Sequence, residues 1–132
     1  MSNKTQPSSL ELYTLAAERS SNAVIASYST SFGVATKLLA PEIRQHVRNI
    51  YALVRVADEI VDGAAAEARV GGGNVEPSVA LDNLEAEIYK TLRSHFSTNL
   101  VVHAFAKTAN ETGFARGIIE PFFASMLSLI HI

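Results

Sequence analysis

The chain is 132 residues long, 48% hydrophobic and 18% charged, with 11 Lys plus Arg against 13 Asp plus Glu. That is enough chain for one modest globular core, and too apolar a composition for a disordered segment. The near-neutral balance argues against an electrostatic nucleic-acid binder, and the absence of cysteine excludes disulfides and thiolate metal sites.

Residues 1–8 read as a loose tail and lack the basic-then-apolar pattern of a signal peptide. Ser8 or Ser9 can cap a first helix that carries Leu10, Leu12, Leu15 and Ala16. It runs toward SNAVIASYSTSF, where clustered Ser and Thr side chains compete for backbone hydrogen bonds and should loosen it. The short apolar piece GVATKLLA stops at Pro41. Pro41 suits the first turn of the next helix, with Glu42 beside its positive end. From Glu42 to Asp62, Ile43, Val47, Ile50, Val54 and Val61 recur at spacings of three, four or seven. They form one apolar stripe, and Gly63 is placed to end the helix.

GAAAEARVGGGNVEPS, residues 63–78, reads as a linker. Its triple glycine at 71–73 lacks the Gly-Lys-Ser/Thr continuation of a phosphate loop. Ser78 can cap another helix carrying Leu81, Leu84, Ile88 and Leu92. A further helix lies near Leu100 to Thr112, closed by Gly113, and the segment from Arg116 to Met126 starts one more. No β-alternation of useful length and no internal repeat is present, and no run approaches the roughly 18 apolar residues of a membrane span. The expectation is an all-α cytoplasmic protein, with contact at a membrane surface left open.

The stretch VRVADEIVDG, residues 54–63, sets Asp58 and Asp62 one turn apart in an otherwise apolar run. Like charges at that spacing slightly destabilise a helix. At roughly 100° per residue, Tyr51, Arg55, Asp58 and Asp62 fall on one narrow strip, which Arg44 and Arg48 extend. The strip lies beside the apolar stripe, as it would along the edge of a cavity. A solvated face is the commoner meaning of such a strip, and Arg55 with Asp58 could be an ordinary i,i+3 ion pair. The functional alternative is a site for a hard divalent cation, which is often shared between one or two carboxylates and substrate phosphates. A nearby arginine would then grip the same phosphates through its planar fork. His46, His95 and His103 have no second ligand at metal spacing and read as surface or half-buried side chains.

YSTSFGVATKLLAPEIRQHVRNIYALVRVADEIVDG, residues 28–63, resembles the opening of the squalene and phytoene synthases, head-to-head prenyl synthases of the all-α isoprenoid fold. The likeness rests on STSF at 29–32, the frame Tyr-x-x-x-Arg-x-x-Asp-x-x-x-Asp, and the intervening spacing with Pro41 and Arg44. DEIVDG looks more like the phytoene branch than the squalene branch, and VVHAFAKTANETGFARGIIEPFFASM looks like the family's next helices. The resemblance implies a truncated, N-terminal part of that fold across residues 9–126. It also implies a reaction in which two prenyl diphosphates condense through a cyclopropylcarbinyl diphosphate after Mg²⁺-assisted ionisation, with Mn²⁺ as an alternative metal. Carried over, Asp58 and Asp62 would hold the metal, and Arg55, Ser29 and Ser31 would contact the diphosphate. Phe32 and Tyr51 would turn aromatic faces to the carbocation. Each has a plainer role open to it: capping for the serines, core packing for Phe32, a buried ring with a solvated hydroxyl for Tyr51.

On this resemblance the parent enzyme would join two geranylgeranyl diphosphates to phytoene for carotenoid synthesis. A squalene-type synthase using farnesyl diphosphate, or a non-catalytic relative acting in binding or assembly, are the alternatives. Peripheral membrane association follows from a lipid-like substrate and product. The family's second aspartate motif does not occur after Gly63, so the 132 residues are expected to be inactive by themselves. One reverse translation of LSLIHI, CTG TCT CTT ATA CAC ATC, reproduces a transposon end used in sequencing libraries. Residues 127–132 are therefore expected to be adaptor-derived, with no role for His131.

Overall fold

The computed structural model describes residues 6–114 and 117–131. Among them the chain is helical throughout, with seven helices and no strand, as the periodicity requires. Most of the tail assigned to residues 1–8, and positions 115, 116 and 132, lie outside the described residues.

Helix α1 spans Ser9–Tyr28. Ser8 is its cap: the Ser8 hydroxyl accepts the Glu11 N–H at 3.1 Å and the Glu11 carboxylate accepts the Ser8 N–H at 2.9 Å. The helix continues past Ser20 and Ser27, which donate back to Ala17 O and Ala23 O at 2.7 and 2.9 Å, and gives way inside the serine-rich stretch. The break comes at Ser29, which starts the short α2, Thr30–Thr36. Helix α3, Pro41–Asp62, begins on the proline and ends at Gly63, as expected.

The segment expected to be linker contains a helix, α4, at Ala64–Val70. Its alanines are good helix formers, and it packs against the end of α3, which a short isolated helix would need. Gly71 closes it. Helix α5 covers Pro77–Ser94, so Ser78 lies inside the first turn rather than capping it; Glu76 stands at the cap and Pro77 supplies the start. Helix α6, Leu100–Thr112, is capped by Asn99, whose Oδ1 accepts the Val102 N–H at 3.1 Å, and closes on Gly113 at φ 71°. Helix α7 runs Ile119–Ile130, without interruption at Met126, and Leu127 and Ile130 rest against the core.

Helices α3 and α6 are the centre: α1 packs on both, α5 lies against α6, and α7 closes over α5 and α3. Phe123, Leu81 and Ile88 are fully buried between them. Burial of such a side chain stabilises by about 1.5–3 kcal/mol relative to exposure. Ala17, Ala52, Ala57 and Ala104, all 0% exposed, let the backbones of α1, α3 and α6 approach closely. No helix among the described residues is long and apolar enough to cross a membrane.

Candidate active site on helix α3

The strip on α3 divides into two parts. At its N-terminal end the arginines work for the fold. Arg44 donates to Lys37 O at 3.2 Å and Leu39 O at 3.0 Å, and Arg48 Nε donates to Thr36 Oγ1 at 3.0 Å. These bonds close the turn after α2 onto α3 and fix where α2 sits.

That docking brings two of the predicted residues together. Phe32 on α2 stacks on Tyr51 of α3, with ring centroids 4.4 Å apart and planes inclined by 20°. Ser29 accepts the Phe32 N–H at 3.2 Å, which caps α2 and sets the position of that ring. Ser31 is solvent-exposed and makes no side-chain hydrogen bond among the described residues, so it does not join the group.

One turn beyond Tyr51 the strip opens. The Arg55 guanidinium lies 4.7 Å from the centroid of the Tyr28 ring. Its ion pair is with Glu59, at i+4, rather than with Asp58. The hydrogen bond that Arg55 donates to Glu59, with Asp58 contributing, raises the Arg55 pKa, and Arg55 in turn lowers that of Glu59. Arg55 Nε is buried and has no partner. Asp58 is half-buried and Asp62 exposed, and neither enters an ion pair or side-chain hydrogen bond among the described residues.

Glu59 is the residue that the sequence did not single out. Its i+4 spacing from Arg55 was the available signal, masked by the closer Asp58 in the same frame. The grooves of about 540, 910 and 300 Å³ elsewhere on the molecule are not lined by Arg55, Asp58 or Asp62. Arg48, at the N-terminal end of the strip, lines the smallest of them, whereas the part from Arg55 to Asp62 lies away from those grooves.

The histidines separate from one another. His95 is exposed at the end of α5, and His46 is half-buried, with Nδ1 2.9 Å from Thr108 Oγ1. His103, expected at or near the surface, is instead 3% exposed. Its Nδ1 accepts the Ser97 N–H at 3.2 Å, which leaves Nε2 to donate to Thr14 Oγ1 at 3.0 Å. The edges of Tyr13 and Phe96 enclose the ring, and burial lowers its pKa.

A divalent cation fits the donor set at Asp58 and Asp62. The two side chains offer hard carboxylate oxygens that form no ion pair among the described residues, and Mg²⁺ keeps several waters and shares phosphates instead of demanding a full protein cage. No group of three or more His, Asp or Glu that could hold a metal occurs among the described residues.

The α2–α3 face thus sets an aromatic stack on the same helix as an arginine and two carboxylates that form no ion pair among the described residues. The family model for squalene/phytoene synthase matches residues 25–129, and the chain belongs to that family of head-to-head prenyltransferases. Its members generally use Mg²⁺ and bind prenyl diphosphates. Over 65 residues the chain is 38% identical to a 15-cis-phytoene synthase from a Paracoccus species, a stretch that covers 49% of this chain and 21% of that protein. The chain thus spans about a fifth of the length of the curated relative it matches. No solved structure gives a significant match.

Proposed function

We propose that the α2–α3 face is the first diphosphate-binding half of a phytoene synthase, which condenses two geranylgeranyl diphosphates head-to-head. The observation that carries this reading is the pair Asp58 and Asp62, left without cationic partners next to an arginine with a buried, unpartnered Nε. Arg55 would bind the substrate diphosphate through its free donors, and Ser29 would hold the Phe32 ring where it can face the prenyl cation. Tyr51, stacked on Phe32, would extend the same aromatic wall. Asp58 and Asp62 would hold Mg²⁺, which neutralises charge on the leaving diphosphate when bound. Similarity to the Paracoccus phytoene synthase favours the geranylgeranyl substrate over the farnesyl diphosphate of a squalene-type enzyme.

The test is to recover the gene through the codon for Met126, express its complete reading frame, and assay it with geranylgeranyl and farnesyl diphosphate. Mg²⁺-dependent phytoene formation that drops at least 100-fold in Asp58→Asn/Asp62→Asn upholds the reading. Activity that ignores the double substitution removes the metal role, and product from farnesyl diphosphate alone replaces phytoene synthase by the squalene type. The same clone tests the proposed domain limits. Different codons after Met126 support an adaptor origin for residues 127–132, and the same six refute it.

A further inference from the structure

Arg55 is already gripped. Its guanidinium pairs with Glu59 one turn along α3 and lies over the Tyr28 ring, while Nε stays buried without a partner. Glu59 is itself anchored, since its Oε1 accepts the Ala64 N–H at 3.1 Å, across the junction between α3 and α4. Gly63 makes room for this carboxylate. A Cβ at that position would collide with Glu59 Oε1 and stand 2.8 Å from its Cδ. Glycine at 63 thus leaves this Glu59 rotamer unobstructed.

We infer that Glu59 is an internal stand-in for the diphosphate: it occupies Arg55 in the unliganded protein and yields it when a diphosphate enters. This rests on the proposed contact between Arg55 and the substrate diphosphate. A carboxylate and a phosphate offer a guanidinium the same pair of acceptor oxygens, so one can replace the other on the fork. Between ligands, Glu59 keeps a partly buried cation from standing uncompensated. Against a ligand it acts as a competitor, because it must leave the guanidinium before the anion can take its place. Asp58 and Asp62 have no such partner and remain open for the cation throughout. An ordinary helix-surface ion pair differs in one respect: whatever Glu59 then does to anion affinity by charge alone persists when Arg55 is absent.

The experiment titrates the chain with Mg²⁺ and inorganic pyrophosphate near neutral pH, following heat of binding for wild type, Glu59→Gln, Arg55→Gln and the double variant. Glutamine keeps an amide oxygen for the Ala64 N–H and removes only the charged grip on Arg55. Expected are affinity about 3- to 10-fold tighter in Glu59→Gln, at least 10-fold weaker in Arg55→Gln, and no gain from Glu59→Gln once Arg55 is gone. Unchanged or weaker binding in Glu59→Gln overturns the inference, as does a gain of the same size in the Arg55→Gln background. Binding that is absent, or indifferent to Arg55→Gln, overturns the arginine contact itself and the inference with it. The wild-type Arg55 Nε–H resonance gives a second readout that needs no variant. It should shift saturably with pyrophosphate together with the Glu59 carboxyl carbon, and a Glu59 signal that stays fixed while Arg55 moves defeats the stand-in role.

Discussion

Two stretches of helix α3, about two turns apart, treat polar side chains in opposite ways. At the junction with α1 and α6, Asn49 is 0% exposed and fully engaged. Its Nδ2 reaches Thr108 Oγ1 at 2.9 Å, Glu18 Oε2 at 3.2 Å and Ala104 O at 3.3 Å, and its Oδ1 accepts from Gln45 at 2.8 Å. Glu18 also meets Lys107 at 3.5 Å. At the other end Asp58 and Asp62 have no partner among the described residues, and Arg55 keeps a buried nitrogen unused. A buried polar network pays its desolvation only when closed, so the closed one fixes how α3 is rotated against its neighbours. The open one contributes nothing to that rotation. What the difference teaches is that the first group builds the platform and the second is presented on it.

Mutations should split along the same line. The largest effect belongs to the closed region: Asn49→Ala should cost about 3 kcal/mol, since it removes four hydrogen bonds at a fully buried position. Urea denaturation measures it, and a loss under about 1 kcal/mol would mean that the network is not what sets the helix. A smaller, pH-dependent effect comes from His103, buried on α6. Its folded-state pKa is depressed by burial, so it favours folding fully above the unfolded value of 6.5 and progressively less as pH falls below it toward the folded one. Protonation would also turn Nδ1 from acceptor to donor against the Ser97 N–H. Glu18 faces this ring and opposes the depression without cancelling it, and Glu87, which accepts from Ser97 Oγ at 2.7 Å, lies just beyond. Thermal melts should therefore fall between pH 7 and 5, and His103→Gln should flatten that part of the curve. An unchanged slope in the variant would assign the acid sensitivity elsewhere.

Much of this was legible before the structure, and the misses share a cause. The α3 stripe, Pro41 and Gly63, together with the limits of α6 at Leu100 and Gly113, follow from local periodicity and capping, which need no tertiary information. Helix α4 was hidden because seven residues beside a glycine run carry no periodic face; their helix depends on the end of α3. The full burial of His103, read as surface or half-buried, was hidden because its partners, Thr14 and Ser97, come from α1 and the turn before α6. At the site, the frame Tyr51, Arg55, Asp58, Asp62 is written in the spacing. Whether Arg55 pairs at i+3 or i+4 is a rotamer choice that spacing leaves open, and the structure has it at i+4 with Glu59.

The smallest expected effect is the sharpest test of the comparison. Asp58→Asn/Asp62→Asn should leave stability within about 0.5 kcal/mol of wild type, on the stabilising side. Two carboxylates one turn apart repel, and both lie in the last turns of α3, where the negative end of the helix dipole disfavours them. No ion pair among the described residues is lost on neutralising them, and asparagine keeps their size. Urea midpoints for the 132-residue chain, without metal, read the effect directly. A loss above about 1 kcal/mol would show that the aspartates hold the fold, and the division of α3 into platform and presented face would fail. A small gain would mean that the helix carries these charges at its own expense, which is the signature of residues kept for something that binds.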